Sequence, residues 1–159
     1  MIYAVSDLHD CFKSWLALLD KLRFTEEDLI YVVGDVVDRG PSPMVLLLDL
    51  SQRANVIPIA GNHDIAATHC LELLSQEVTE GSVDRLEHGS GLSDLMLWRS
   101  DGGRTTMEGF RRLDRDERES VLDYLQEFSL YEEVETARGS YVLAHAGLEH
   151  FSPERPLDT

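Results

Sequence analysis

The segment Gly34-Asp35-Val36-Val37-Asp38-Arg39-Gly40 follows directly on residues 28–33, a short apolar run rich in branched side chains. Such a run reads as a buried strand, and the glycine that follows ends it. Two carboxylates and a guanidinium are then bracketed by glycines. In an open α/β sheet the ligand site lies beyond the carboxyl ends of the strands. The heptad therefore places ionic groups where such a fold keeps its chemistry.

The same arrangement recurs on either side. Residues 2–5 read as a second buried strand and run into Asp7-Leu8-His9, after which Trp15, Leu18, Leu19 and Leu22 mark an amphipathic helix over 12–22. Downstream, Pro41-Ser42-Pro43 opens a helix at 44–50. Residues 56–60 form a third strand that runs into Gly61-Asn62-His63-Asp64. The order β-α-β-α-β predicts a largely parallel sheet with right-handed crossovers. Residues 65–130 read as a mainly helical insertion, a lid over one end of the sheet, interrupted at 79–91 and at Asp101-Gly102-Gly103. Two further strands are expected at 130–134 and 140–143, the second leading into His145-Ala146-Gly147. The fold class is α/β, and residues 1–159 form one domain.

Four polar clusters thus meet at one sheet edge. Asp7 and His9 alternate along an extended segment, so both can face one cation. Asp35 can bridge two cations through its two oxygens, Asn62 offers a neutral amide oxygen, and His145 offers a second imidazole. Mixed oxygen and imidazole donors suit Mn, Fe or Zn better than Ca or Mg. Arg39 supplies a planar fork for phosphate oxygens, with Asn62 beside it. His63 is the natural acid for a leaving alkoxide, and Asp38 is placed to orient it. Glycines 34, 40 and 61 allow close approach to an anion. Taken singly, each cluster is an ordinary turn, ion pair or core histidine; their joint occurrence after successive strands identifies a site.

Composition narrows the partners. The formal net charge is -16, and only Lys13 and Lys21 are lysines among 14 basic residues. A duplex nucleic-acid partner is not expected, because no basic run could displace counterions. Arg111, Arg112, Arg115 and Arg118 are interleaved with acids and read as a solvated helix face. Cys11 and Cys70 make neither a metal pair nor a disulfide framework. No apolar run of the length of a membrane span is present, and the polar Ser6-Asp7 follows the opening strand without a basic leader. A cytoplasmic location, with no membrane partner, is the expectation.

The order D-x-H, G-D-x-x-D-R-G, G-N-H-[DE], H-[AG]-G resembles the calcineurin-like metallophosphoesterases. The full heptad points to the branch of Ser/Thr phosphoprotein phosphatases, which includes bacterial and phage phosphatases and symmetrical diadenosine tetraphosphate hydrolases. The resemblance implies a two-sheet sandwich flanked by helices and in-line attack by a metal-bridging hydroxide. It also implies two divalent ions, Mn first, with Asp7, His9 and Asp35 holding one and Asp35, Asn62 and His145 the other. His63 with Asp38 would protonate the leaving group, and Arg39 would bind phosphate. Trp98 followed by Gly102-Gly103 and Thr105 resembles a stretch of the bacterial members, with Asp101 where Asn is usual.

Three departures accompany the match. Ala60 stands where an arginine usually precedes Gly-Asn-His. Asp10 stands where glycine usually follows D-x-H. The resemblance also implies a further histidine in a C-terminal Gly-His-Thr-like segment, which the sequence lacks; His150 does not match its spacing. The expected reading is a C-terminally truncated phosphatase acting on a phosphorylated protein or small phosphate ester. Dinucleoside polyphosphate hydrolysis and a low-activity metal-binding regulator are the alternatives, and missing strands would leave a sheet edge open to self-association.

Overall fold

The computed structural model describes residues 1–76 and 89–147. Three strands, β1 (Ile2–Ser6), β2 (Leu29–Val33) and β3 (Val56–Ile59), form a parallel sheet in that order. Its register pairs Ile2 with Leu29 and Ile30 with Val56. The crossovers are α1 (Phe12–Leu22) and α2 (Pro43–Ser51). Then follow α3 (Asn62–Ser75), α4 (Gly91–Trp98), a kinked turn over Arg99–Gly103, α5 (Arg104–Phe110) and α6 (Arg115–Gln126). The hairpin of β4 (Tyr131–Thr136) and β5 (Gly139–Ala144) makes a second, antiparallel sheet. A helix-flanked, two-sheet α/β architecture is what the motif order predicts.

Alternation along β2 explains how the layers assemble, because successive strand side chains point to opposite faces. Ile30 and Val32 join the core cluster made with the helices, which includes Trp15, Leu46, Leu71, Trp98, Phe110 and Leu125. Tyr31 instead packs with Ile59 and Val134, and with the partly buried Leu143, beneath the hairpin. A chain with a single polar face on β2 could cover only one side of it. The branched run covers both.

Several expectations are corrected here. Residues 2–5 are not a buried strand: among the described residues β1 is an edge whose alternate residues are exposed, Ile2 by 49 %. Branched residues at an edge look the same in sequence as those at the centre. The described part of 65–130 is not a separate lid, since Trp98, Phe110 and Leu125 belong to the main core. Its first helix also begins earlier, at Asn62, inside the predicted loop motif. Arg118 is not simply solvated: its guanidinium donates to the carbonyls of Phe110 and Arg111 and lies over the Phe110 ring. Among the described residues, β5 pairs with β4 alone and leaves Tyr141 and Val142 exposed. No helix among them is long and apolar enough to cross a membrane. His150 lies outside the described residues.

Candidate metal centre

The loops after β1 and β2 are joined by backbone hydrogen bonds that continue the strand pairing past its end. Asp7, His9 and Asp10 donate their N–H groups to the carbonyls of Gly34, Asp35 and Val36 at 2.9–3.1 Å. Left-handed backbone is concentrated in these loops. Asp7, His9, Asp10, Asp35, Asp38 and Arg39 all have φ between 39° and 71°. For residues other than glycine such a conformation costs of order 1–3 kcal/mol and persists only where the surroundings enforce it. Asp64 supplies part of that enforcement. Its buried carboxylate accepts from the N–H groups of Val36, Val37 and Gly61 at 2.9–3.2 Å, bracing the heptad against the start of α3. Burial nevertheless pushes its carboxyl up to about 6, against the opposing effect of those three donors.

Asp35 is the hinge of the cluster. One of its oxygens lies 3.4 Å from His145 Nε2 and the other 3.6 Å from His9 Nε2. Both imidazoles are oriented from behind. His9 donates Nδ1–H to the Val37 carbonyl and His145 donates Nδ1–H to the Val33 carbonyl, each at 2.9 Å. A backbone acceptor on Nδ1 fixes the tautomer and turns the Nε2 lone pair toward the shared carboxylate, the usual support behind a metal-binding histidine. The motif glycines make this approach possible. A side chain at Gly34 would overlap the His145 ring, and one at Gly61 would overlap the Asp35 carboxylate. The closest groups are thus the protein's own donors rather than an anion.

Among the described residues, potential ligand atoms fall into two groups, each within 4.8 Å: His9, Asp35 and His63 in one, Asp7, Asp35 and His145 in the other. Asp35 is common to both. Asp7, however, gathers with His145, where the sequence reading paired it with His9. The reason is the left-handed turn at Asp7, which breaks the extended alternation assumed for the D-x-H segment. Asn62 sits exposed at the first residue of α3. The donor set is nitrogen and oxygen with imidazoles prepared from behind, and it fits divalent transition-metal ions.

The second feature is a buried relay. His63 donates Nδ1–H to Asp38 Oδ2 at 2.9 Å, and Trp98 Nε1–H donates to the same oxygen at 2.8 Å. The hydroxyl of Thr106 donates to Asp38 Oδ1 at 2.6 Å. Asp38 is fully buried, so this set of donors replaces the water an ionised carboxylate would lose. Because His63 Nδ1 carries its proton toward Asp38, Nε2 is left to accept, and Arg39 donates to it at 2.7 Å. Arg39 also reaches His9 Nε2 at 3.2 Å. The exposed Asp101 carboxylate lies 3.7 Å from both Arg39 and His63 Nε2, where an anion would sit between the two. Thr106 escaped the sequence reading altogether, and Trp98 was noticed without a role. Neither belongs to a strand-end motif; the only sequence signal is that a buried Asp38 demands donors.

Asp10 is the anomaly. Both its oxygens are buried without a hydrogen-bond partner. Burial first, then the nearby Asp38 and Asp64, push its carboxyl up to about 9. The folded chain therefore binds a proton below about pH 9 that the unfolded chain binds only below about 4, so stability falls as pH rises across that window. Asp10→Gly removes both the unpartnered carboxylate and the left-handed strain. In EDTA it should raise unfolding stability by about 2 kcal/mol, with a larger gain at pH 8 than at pH 5. Urea melts at the two pH values measure this; a loss, or a gain independent of pH, would contradict the account.

A family model described as calcineurin-like phosphoesterase matches residues 1–158. A symmetrical bis(5'-nucleosyl)-tetraphosphatase from Nitrosospira multiformis is 35 % identical over 149 residues, covering 92 % of this chain and 43 % of its own length. One from Nitrosomonas europaea is 34 % identical over 148 residues, with 92 % and 44 % covered. The chain thus spans somewhat less than half the length of these relatives. A crystal structure assigned as a diadenosine tetraphosphatase superposes with a TM-score of 0.61 at 22 % identity, covering 97 % of this chain and 52 % of that one. At that identity the likeness speaks for the fold.

Proposed function

This chain belongs to the calcineurin-like phosphoesterase family, and from that premise we propose that it hydrolyses dinucleoside polyphosphates with the help of two divalent cations. The observation that carries the proposal is Asp35, shared by two donor groups, beside a His63 held by Asp38 and faced by Arg39. The chain's similarity to symmetrical bis(5'-nucleosyl)-tetraphosphatases favours this substrate over the phosphorylated protein or small ester expected first.

In this reading His9 and Asp35 would hold one cation and Asp7, Asp35 and His145 the other, with Asn62 at hand from α3 and His63 beside the first as the acid. Bound divalent ions, Mn first, supply an activated water and offset phosphate charge. Arg39 binds the non-bridging oxygens through its fork. For acid catalysis His63 takes a proton on Nε2, and the Asp38 carboxylate stabilises the resulting imidazolium through Nδ1–H. Trp98 and Thr106 hold that carboxylate pointed at His63 through their hydrogen bonds. Asp101, close to Arg39 and His63, must yield to the incoming phosphate.

The test is chromatography of diadenosine tetraphosphate incubated with the chain. Nucleoside diphosphate should appear with Mn, vanish on addition of EDTA and return when Mn is restored. Intact substrate with every divalent ion tried would remove this reading. Release of phosphate from O-phosphoserine in the same preparation would then support the phosphatase alternative.

A further inference from the structure

Asp101 turns both carboxylate oxygens toward the cationic side of the site. Oδ1 lies 3.7 Å from Arg39 and Oδ2 3.7 Å from His63 Nε2. Neither approach is a hydrogen bond, and the side chain is 61 % exposed, so local pairing does not explain the placement. The backbone does. The Gly102 carbonyl accepts from the Arg39 N–H at 3.1 Å. Gly102 has φ of 116°, and a side chain there would run into that of Arg39. At Gly103 a side chain would overlap the Trp98 indole, which is itself bonded to the buried Asp38. The turn that carries Asp101 is thus fastened to the residues it faces. Its side chain can swing aside for a ligand, but its charge stays beside the place where phosphate binds.

We propose that Asp101 is a charge filter, which sets the site against dianionic phosphate and in favour of phosphate that carries a single negative charge. The inference rests on the proposed hydrolysis and specifies which phosphates it reaches. An inner phosphate of a dinucleoside polyphosphate, like a phosphodiester, carries one charge. A phosphomonoester has a second acid group with a pKa near 6 and carries close to two charges at neutral pH. Arg39 and a protonated His63 attract both classes, and the second charge would ordinarily favour the monoester. A fixed carboxylate on the same side opposes each charge in turn, so it subtracts more from the dianion. At roughly 6 Å across a partly exposed surface, one unit of charge changes affinity on the order of tenfold. The same opposition acts after cleavage. The new terminal phosphate gains a second charge, and Asp101 favours its departure.

The test compares p-nitrophenyl phosphate with bis(p-nitrophenyl) phosphate in Mn, on the alkaline side of neutrality. The two esters share a leaving group and differ by one negative charge. Asp101→Ala should raise kcat/KM on the monoester about tenfold relative to the diester. Asp101→Asn should do the same. Glu119→Gln, which removes an exposed acid of α6, should leave the ratio within about a factor of two. Inorganic phosphate titrated into the Mn-loaded protein should bind about tenfold more tightly to Asp101→Ala than to the parent chain. An unchanged ratio, an equal rise on both esters, a rise confined to Asp101→Asn (whose amide adds a donor), or phosphate binding that does not tighten would overturn the filter. Diadenosine tetraphosphate left intact while the esters are cleaved ends the substrate reading, and the ester ratio still decides Asp101. If no ester is cleaved, the phosphate titration decides it alone.

Discussion

Asp35→Asn should reduce metal content from about two ions per chain to one or fewer and cut turnover by roughly 10³-fold or more. Each Asp35 oxygen faces a different imidazole, at 3.4 and 3.6 Å. An asparagine keeps the shape and offers one oxygen, turning an N–H toward one of the two histidines. One donor group then loses its shared anion while the other keeps a neutral one. Positioned divalent ions are worth several kcal/mol of transition-state stabilisation, which is where the rate estimate comes from. The fold should survive better than the activity, because the His63 N–H that donates to Asp35 Oδ1 at 3.1 Å can still find the amide oxygen. Elemental analysis and a thermal melt in EDTA separate the two effects. Two retained ions, or a melt lowered as much as the activity, would mean that Asp35 is chiefly a structural carboxylate.

What the sequence disclosed and what it withheld follow from range. Asp35, Asp38 and Arg39 are legible because a strand, a glycine and a left-handed turn are local matters, encoded within one heptad. His145 is legible for a similar reason: it follows a strand, and strand ends converge. The pairing of Asp7 with His145 was not legible, since it depends on φ of 57° at Asp7, a conformation that nothing in Asp-Leu-His requires. Trp98 and Thr106 lie 60 and 68 residues from the carboxylate they hold. Their role arises only when α4 and α5 pack against the heptad, and a tryptophan on an apolar helix otherwise reads as core. The separate lid expected over one end of the sheet was not legible as core for the same reason. Trp98, Phe110 and Leu125 lie on three different helices and carry each of them into the core.

His63→Ala should lower kcat by roughly 10²–10⁴-fold, and where in that range it falls depends on what leaves. His63 contributes by placing a proton on the departing oxygen, so its removal matters most when that oxygen departs as a basic alkoxide. A departing phosphate with a pKa near 6 needs little help at neutral pH. The loss should therefore be near the lower end with diadenosine tetraphosphate and near the upper end with O-phosphoserine. Asp38→Asn serves as the companion, because its amide cannot accept from His63, Trp98 and Thr106 together. It should slow the same step by weakening the imidazolium, and it should also destabilise the fold by about 1–3 kcal/mol, having left buried donors unpaired. His63→Ala removes only one of those donors and should perturb stability less. Rates on both substrates, set beside urea melts of both variants, test the assignment. An equal loss on both substrates would show that His63 binds phosphate or metal and does not deliver a proton. A Trp98→Phe variant, which removes the indole donor while keeping the ring, should then behave as a milder Asp38→Asn, since it acts through the same carboxylate.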